Sequence, residues 1–245
     1  MLNIREQFVS KISDKALYSI GTYVVLVKGM TMHRESLAAG LDAPMVVAAG
    51  PPDVSGVRVI KYQPTNSQAS EIVAENNYMI FEAFLAELVQ IWFDFLADIY
   101  EQAIEDNLQG KDHPYPIPEA KVKVDFSLSG FKLNQQLKKS ARKDFDFLPA
   151  KDKLKIVRKT LQKDLSGKEA QLKLIKTNIY IRNILQHGNG IVSSEALKDL
   201  GVDVIQEDHG NRRQDVLANQ KVSVTPYDIE NFVDAMIEVA QTLIP

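Results

Sequence analysis

The chain of 245 residues contains no cysteine, which excludes disulfides, zinc–thiolate sites and thiol nucleophiles. It also lacks a glycine-rich phosphate loop, a His-Glu-x-x-His pair, a metal-ligand cluster and a serine elbow. Internal repeats and low-complexity tracts are missing as well. We therefore expect neither a cofactor nor a metal site.

No run of the sequence is long and uncharged enough to cross a membrane. The apolar stretch from Ala16 to Val27 comes nearest to a signal-peptide core. Lys28, His33 and Arg34 follow it, where a small-residue cleavage site would be needed. The absence of cysteine fits a reducing compartment. We expect a soluble, cytoplasmic protein that does not contact a membrane.

Charge is distributed unevenly, although the formal net charge is only −3. Residues 71–106 hold nine acidic side chains and no lysine or arginine, whereas residues 132–176 hold fourteen basic side chains against five acidic ones. The basic segment has the charge to bind a polyanion. Packing of the two segments against each other would explain the same pattern, and the charge count does not separate these interpretations.

Hydrophobic periodicity predicts an all-α protein, a helical bundle with a small β-hairpin before the last helix. Helices are expected over about residues 4–37, 70–108, 132–145, 151–165, 168–187, 195–200 and 226–243. Residues 40–70 are rich in proline and glycine, with a short strand predicted at 57–62. We therefore expect residues 1–70 to form an N-terminal extension, a helix plus an irregular insertion, packed on the domain of residues 71–245.

Several local signals give finer predictions. Asp14 is a candidate N-cap within the first helix, and Thr225 with Pro226 is typical of a helix start. Alternating valines predict a brief strand at 122–126 and hairpin arms near 202–204 and 222–224, with a basic tip at 207–213.

The stretch from Ile179 to Val192 predicts a helix that stops abruptly. His187 is followed by Gly188, Asn189 and Gly190, residues that tolerate the left-handed backbone closing a helix. Apolar stripes on two sides of this helix predict burial on both, by its own bundle and by a second protomer. At about 100° per residue, one further face carries Lys176, Tyr180, Asn183 and His187.

Arg182 and His187 have the chemistry to cleave RNA without a metal. Histidine transfers protons near neutral pH, and the arginine fork stabilises negative charge on a phosphate. Five positions place the two side chains about 140° apart around one helix, so two helices meeting near a two-fold axis would bring them together more easily. The alternative is a histidine that bonds the last helix carbonyls beside an arginine in a surface ion pair.

Arg182-Asn183 followed by His187 resembles the Arg-(four to six residues)-His signature of the HEPN superfamily, in which a polar residue often follows the arginine directly. The turn at residues 188–192 is similar to the turn after the histidine in many HEPN proteins. The order of elements over residues 71–245 resembles that family as well: a long aromatic and acidic helix, basic middle helices, the Arg-Asn…His helix, a small hairpin and a closing helix.

The resemblance implies an all-α, usually dimeric protein and a metal-independent endoribonuclease of the kind found in toxin–antitoxin and phage-defence systems. Carried over by residue, Arg182 and His187 would form the catalytic pair in a composite homodimer site, with Asn183 as the accompanying polar residue. RNA would be the substrate, and an antitoxin or other regulatory protein a further partner. Some HEPN toxins carry a tyrosine two positions after the histidine, which a partner nucleotidyltransferase modifies; Asn189 stands there instead, which puts that regulation in doubt.

Further RNA contacts are expected from Lys176 and Tyr180, on the face of His187, and from Arg212 and Arg213 at the hairpin tip, although a solvated turn is the commoner case for such a loop. Two other functions remain open at this point. One is a catalytically inactive HEPN module that binds RNA, a nucleotide or a protein partner. The other is a chance motif in an unrelated helical protein.

Overall fold

The structure, a computed structural model, describes residues 1–38, 48–52, 58–62, 65, 67–68, 79–111, 115–117, 122–125, 127–210 and 212–245. The chain divides into two compact units. Unit 1 comprises Met1–Ala16 and Phe81–Pro245, and unit 2 comprises Leu17–Ile80. The boundary predicted at residues 70–71, and with it the predicted start of the second helix, lies outside the described residues.

Seven helices and two antiparallel strand pairs make up the described part of the chain. The helices are α1 (Leu2–Ala38), α2 (Met79–Leu108), α3 (Gly130–Asp146), α4 (Ala150–Thr160), α5 (Glu169–His187), α6 (Ser194–Leu200) and α7 (Pro226–Leu243). The strands are β1 (Ala48–Pro52), β2 (Arg58–Tyr62), β3 (Ile205–Asp208) and β4 (Arg213–Val216). The predicted helical fold with a small hairpin before the last helix is confirmed.

Unit 2 contains the later part of α1 and the antiparallel pair β1–β2, in which Ala48 lies opposite Tyr62 and Pro52 opposite Arg58. The strand predicted at 57–62 is confirmed as β2. β1 was not predicted, because its Gly-Pro-Pro sequence is typical of a turn. In a two-stranded sheet each strand has one unpaired side, so a proline need not remove a ladder hydrogen bond there.

The core of unit 1 is organised around α2, which is apolar over most of its length. Trp92, the single tryptophan of the chain, is only 1% exposed. The beginning of α1 completes this core: the ring of Phe8 stacks on Phe95 with centroids 4.2 Å apart, and Ile12 is fully buried. The prediction of Asp14 as an N-cap is wrong, because α1 runs without interruption from Leu2.

The acidic face of α2 pairs with the basic face of α3. Nη1 of Arg142 lies 2.6 Å from a carboxylate oxygen of Asp98 and 2.8 Å from one of Glu101. Nζ of Lys138 lies 3.1 Å from Glu105, and this hydrogen bond raises the pKa of the lysine. Part of the basic excess is therefore neutralised internally, as one interpretation of the charge pattern predicted.

The closing helix α7 packs on α5. It begins with a capping box in which Thr225 and Asp228 each bond the backbone N–H of the other, at 3.1 and 2.9 Å. The predicted start of this helix is confirmed. One face of α7 contributes five buried side chains to the core, namely Ile229, Phe232, Val233, Met236 and Ala240. Ile237 is half-buried.

Three boundaries differ from the prediction. The hairpin arms are β3 and β4 and not the predicted segments near 202–204 and 222–224. Val222 and Val224 are buried but belong to neither strand. Residues 122–125 form no strand, since the carboxylate of Asp125 closes a turn by accepting from Ser127 N–H at 2.9 Å; Phe126 lies outside the described residues. α4 ends at Thr160, five residues early, in a turn where Gln162 has φ 51°.

Candidate functional site

α5 ends at His187 in a tight main-chain turn. The N–H groups of Gly188 and Gly190 both donate to the carbonyl of Ile184, at 2.8 and 3.2 Å. Asn189 and Gly190 adopt the left-handed conformation that the sequence predicted, with φ of 51° and 79°. Gly188 does not, with φ −115°. A Cβ at this position would lie 3.0 Å from the carbonyl oxygen of Ile184, so glycine is favoured here because there is little room for a side chain.

The segment after α5 is joined to the segment after β4 by main-chain hydrogen bonds. Val192 N–H donates to the Gln220 carbonyl at 2.9 Å, and Asn219 N–H donates to the Val192 carbonyl at 2.8 Å. Val222 N–H donates to the Gly190 carbonyl, also at 2.8 Å. These bonds fix the backbone directly after His187 without using any side chain.

The imidazole of His187 is exposed and makes no hydrogen bond or ion pair with the described residues. The carbonyl of Ile184 at the helix end accepts from backbone N–H groups and not from this ring. The ring therefore remains available to a ligand or to another protein chain.

The guanidinium of Arg182 is half-buried. Its Nη1 donates to Oδ1 of Asn183 at 3.0 Å. Its Nε is buried and has no hydrogen-bond partner within the described ranges. No hydrogen bond joins Arg182 to His187, so a single chain does not assemble the pair into one site through a direct bond.

Lys176 and Tyr180 lie nearer the start of α5 than Arg182 does. Nζ of Lys176 donates to the carbonyls of Asp199 and Leu200, at 2.7 and 3.4 Å, and so caps the end of α6. The same ammonium lies 5.8 Å from the centroid of the Tyr180 ring. Burial raises the pKa of the Tyr180 hydroxyl, and the Asp199 carboxylate adds to the effect.

Arg212 and Arg213 are both exposed at the β3–β4 hairpin, and neither side chain bonds another described residue. The turn is held by a hydrogen bond from His209 N–H to the Arg212 carbonyl at 3.0 Å, and the imidazole of His209 lies 3.3 Å from Glu207. No hydrogen bond or ion pair among the described residues joins these arginines to the expected catalytic residues of α5.

A groove of about 630 Å³ lies beside one face of α5. Three of the residues predicted to share that face, Lys176, Tyr180 and Asn183, line it, whereas Arg182 and His187 do not. The remaining lining residues come from α2, the start of α4, α5 and α6: Trp92, Pro149, Ala150, Lys151, Leu154, Leu172, Ile175, Ile179 and Asp199. Sequence reasoning missed the contribution of α4, for which the proline-marked start of a basic amphipathic helix was the available signal.

Among the described residues, no three His, Asp or Glu side chains are grouped so that they would hold a metal ion. Within the same ranges, none of the helices has the length and apolar character needed to span a bilayer.

Comparison with known proteins finds no matching family model, curated protein or solved structure. The resemblance to the HEPN superfamily thus stands on the residues of α5 and on the order of the elements. Any function inferred from this resemblance is therefore a proposal.

Proposed function

We propose that the chain is a metal-independent endoribonuclease that acts as a homodimer, with Arg182 and His187 of both protomers in one composite site. The observation that carries this proposal is the combination at the end of α5: an exposed, unbonded imidazole and a guanidinium whose Nε has no partner among the described residues. A free imidazole can exchange protons with a substrate, and unsatisfied guanidinium donors favour a phosphate.

The chemistry needs one proton-transfer group and one cation. His187 takes the proton of the ribose 2′-hydroxyl, whose oxygen then attacks the adjacent phosphorus. The bond from phosphorus to the 5′-oxygen breaks, and a histidine returns a proton to that leaving oxygen. Arg182 stabilises the additional negative charge on the phosphate oxygens during the step. The products are a 2′,3′-cyclic phosphate and a 5′-hydroxyl end.

A dimer is part of the proposal because of helix geometry. Arg182 and His187 lie about 140° apart around α5, and no hydrogen bond joins them. Two helices that meet near a two-fold axis would aim the arginine of one protomer and the histidine of the other at the same phosphate. Asn183 would orient the guanidinium for this arrangement, because its Oδ1 accepts a hydrogen bond from Nη1 of Arg182 at 3.0 Å.

Other residues would extend the contact with RNA. Lys176 and Tyr180 lie toward the start of the same helix, and Arg212 with Arg213 adds exposed positive charge on the hairpin. We infer a cytoplasmic toxin or phage-defence effector that acts on RNA, with an antitoxin or other regulatory protein as a further partner.

The second candidate is a catalytically inactive HEPN module that binds RNA, a nucleotide or a protein. The observation that favours it is the separation of Arg182 from His187 within one chain, together with the local use of the Arg182 guanidinium by Asn183. In that case the motif stabilises a structure or an interface, and neither the wild type nor the variants at Arg182 and His187 would cleave RNA.

The deciding experiment incubates the purified chain with total RNA in EDTA and determines the 3′ ends of the fragments. We expect His187→Ala and Arg182→Ala each to lower the cleavage rate by at least about 100-fold, because the first removes the general acid–base group and the second removes the charge stabilisation of the phosphate. Gln186→Ala, a change at an exposed neighbour on the same turn, is the matched control and should cleave normally. Circular dichroism and sedimentation should show that all variants remain folded and dimeric.

Mixing the two inactive variants tests the composite site. A heterodimer of Arg182→Ala with His187→Ala retains one arginine and one histidine, so partial cleavage should return. Equal fragments from wild type and His187→Ala would point to a contaminant or another site. Absence of cleavage by every form would favour the binding module.

A further inference from the structure

The groove beside α5 has the dimensions and preorganisation of a small-molecule site. Its volume of about 630 Å³ falls within the range of roughly 300–1,000 Å³ typical of such sites. The wall is part of the packed core, since Trp92, Ile175 and Ile179 are 1, 3 and 8% exposed. Leu154 and Leu172 are half-buried and also line it. The apolar surface is therefore already in place before any ligand binds.

The charged groups of the groove favour a negatively charged ligand. Lys151 is exposed and forms no ion pair or side-chain hydrogen bond with the described residues. Lys176 is committed to the carbonyls at the end of α6 but keeps its positive charge. Asp199 supplies the single carboxylate of the lining. Two cations face one anion, and Lys151 is the cation left for a ligand.

Two neutral polar groups can orient such a ligand. Asn183 lines the groove, and since its side-chain oxygen accepts from Arg182, its amide N–H groups are the donors that it can offer to a ligand. The hydroxyl of Tyr180, whose pKa burial raises further above neutrality, can donate as well. A few polar groups at the edge of an apolar cavity, one of them with a perturbed pKa, are the usual composition of a binding site.

We propose that this groove binds a small organic anion with an apolar body, of the aryl or alkyl phosphate and carboxylate class. The body packs against Leu154, Ile175 and Ile179, and the anionic group pairs with Lys151. Lys176, Tyr180 and Asn183 belong both to the groove and to the proposed RNA contacts, but the expected catalytic pair Arg182 and His187 does not line the groove, so ligand binding there can be tested without RNA cleavage. A His187→Ala protein should bind the ligand as the wild type does, whether or not the chain is a nuclease.

The only tryptophan of the chain lies in the groove wall and provides the assay. The full chain is titrated with 1-anilinonaphthalene-8-sulfonate, an aromatic anion that quenches tryptophan emission by energy transfer. We expect saturable binding of one probe per chain. Decanoate and phenyl phosphate should displace the probe, whereas inorganic phosphate, which lacks an apolar body, should not.

Two lysines of α4 form a matched pair of variants. Lys151→Gln should weaken probe binding at least about tenfold, because a hydrogen bond to a charged group is lost. Lys155 is equally exposed and one turn further along α4 but lies outside the groove lining, so Lys155→Gln should leave the affinity unchanged. Leu154→Asp, which puts a carboxylate into the groove, should abolish binding while circular dichroism stays that of the wild type.

Several outcomes would overturn the proposal. Probe binding that does not saturate, or an equal effect of Lys151→Gln and Lys155→Gln, would mean attachment elsewhere. Displacement by a nucleoside monophosphate or a short RNA, without displacement by decanoate or phenyl phosphate, would make the groove a nucleotide site instead. Absence of quenching at every probe concentration would remove the site altogether.

Discussion

Thr225→Val removes a single hydroxyl from the junction between the hairpin and α7. Thr225 is 2% exposed, and its oxygen accepts from Asp228 N–H at 3.1 Å and lies 2.5 Å from the Asp208 carbonyl, to which it donates. Valine has nearly the same shape and the same branched β-carbon, so the change leaves packing almost untouched. What it removes is a helix cap and the partner of a strand carbonyl.

The magnitude follows from these two losses. An N-cap side chain contributes about 1 kcal/mol to helix stability. A buried carbonyl left without a donor costs roughly 1–3 kcal/mol, and the half-buried position of Asp208 favours the lower part of that range. We expect the free energy of unfolding to fall by about 2–3 kcal/mol. For a domain of this size, that is a drop of roughly 4–12 °C in Tm.

The assay is urea unfolding followed by the fluorescence of Trp92, which lies in unit 1 and therefore reports on that unit. Thr242→Val in the same helix is the control. The hydroxyl of Thr242 donates to the Glu238 carbonyl at 2.9 Å, which the helix backbone already bonds, so this change should cost less than about 0.5 kcal/mol. Equal shifts of the two midpoints would refute the capping argument.

Two further predictions concern single contacts of unit 1. Gly210 has φ +75°, a backbone conformation that strains alanine, so Gly210→Ala should lower the free energy of unfolding by about 1–2 kcal/mol in the same assay. A Cβ there would lie 2.5 Å from Cζ of Tyr227, but this ring is 47% exposed and can move aside, so the loss should be nearly the same in a Tyr227→Ala background. Burial would raise the pKa of Asp106, but hydrogen bonds from Lys111 and Gln102 outweigh it and hold the pKa below the ordinary aspartate value of 3.8. The stability from this carboxylate is therefore complete above about pH 3.8 and is lost as the pH falls through its folded-state pKa. Lys111→Met should lower the unfolding midpoint near neutral pH, and the difference from wild type should vanish in acid; a difference that persists there would contradict the assignment.

The elements that the sequence predicted well are those with local signals. The end of α5 could be predicted because Asn189 and Gly190 do adopt the left-handed backbone that their residue types tolerate. The start of α7 followed from Thr225 before Pro226. In each case the information lies within a few neighbouring residues, and tertiary packing agrees with it.

The elements that the sequence predicted poorly depend on distant partners. The valines at 222 and 224 alternate like a strand, yet Val222 bonds the main chain after α5 and stays outside the hairpin. The groove joins Trp92, Lys151 and Asn183 from three different helices, and no periodicity within one helix can reveal that neighbourhood. In the proposed homodimer, Arg182 and His187 of different protomers would meet only at the interface, and one chain's sequence carries no periodicity that describes that geometry.

The main-chain ladder after α5 has a consequence for how much sequence change this region tolerates. The backbone after His187 is held by N–H and carbonyl groups of residues 190–192 and 219–222, which nearly every amino acid possesses. Substitutions there can alter surface charge, size and recognition while the histidine keeps its place at the helix end. The choice is restricted at the crowded Gly188, at the left-handed positions 189, 190 and 219, and at the buried Val192 and Val222. A functional group supported in this way can persist through extensive divergence of its surroundings, leaving a very short trace in the sequence.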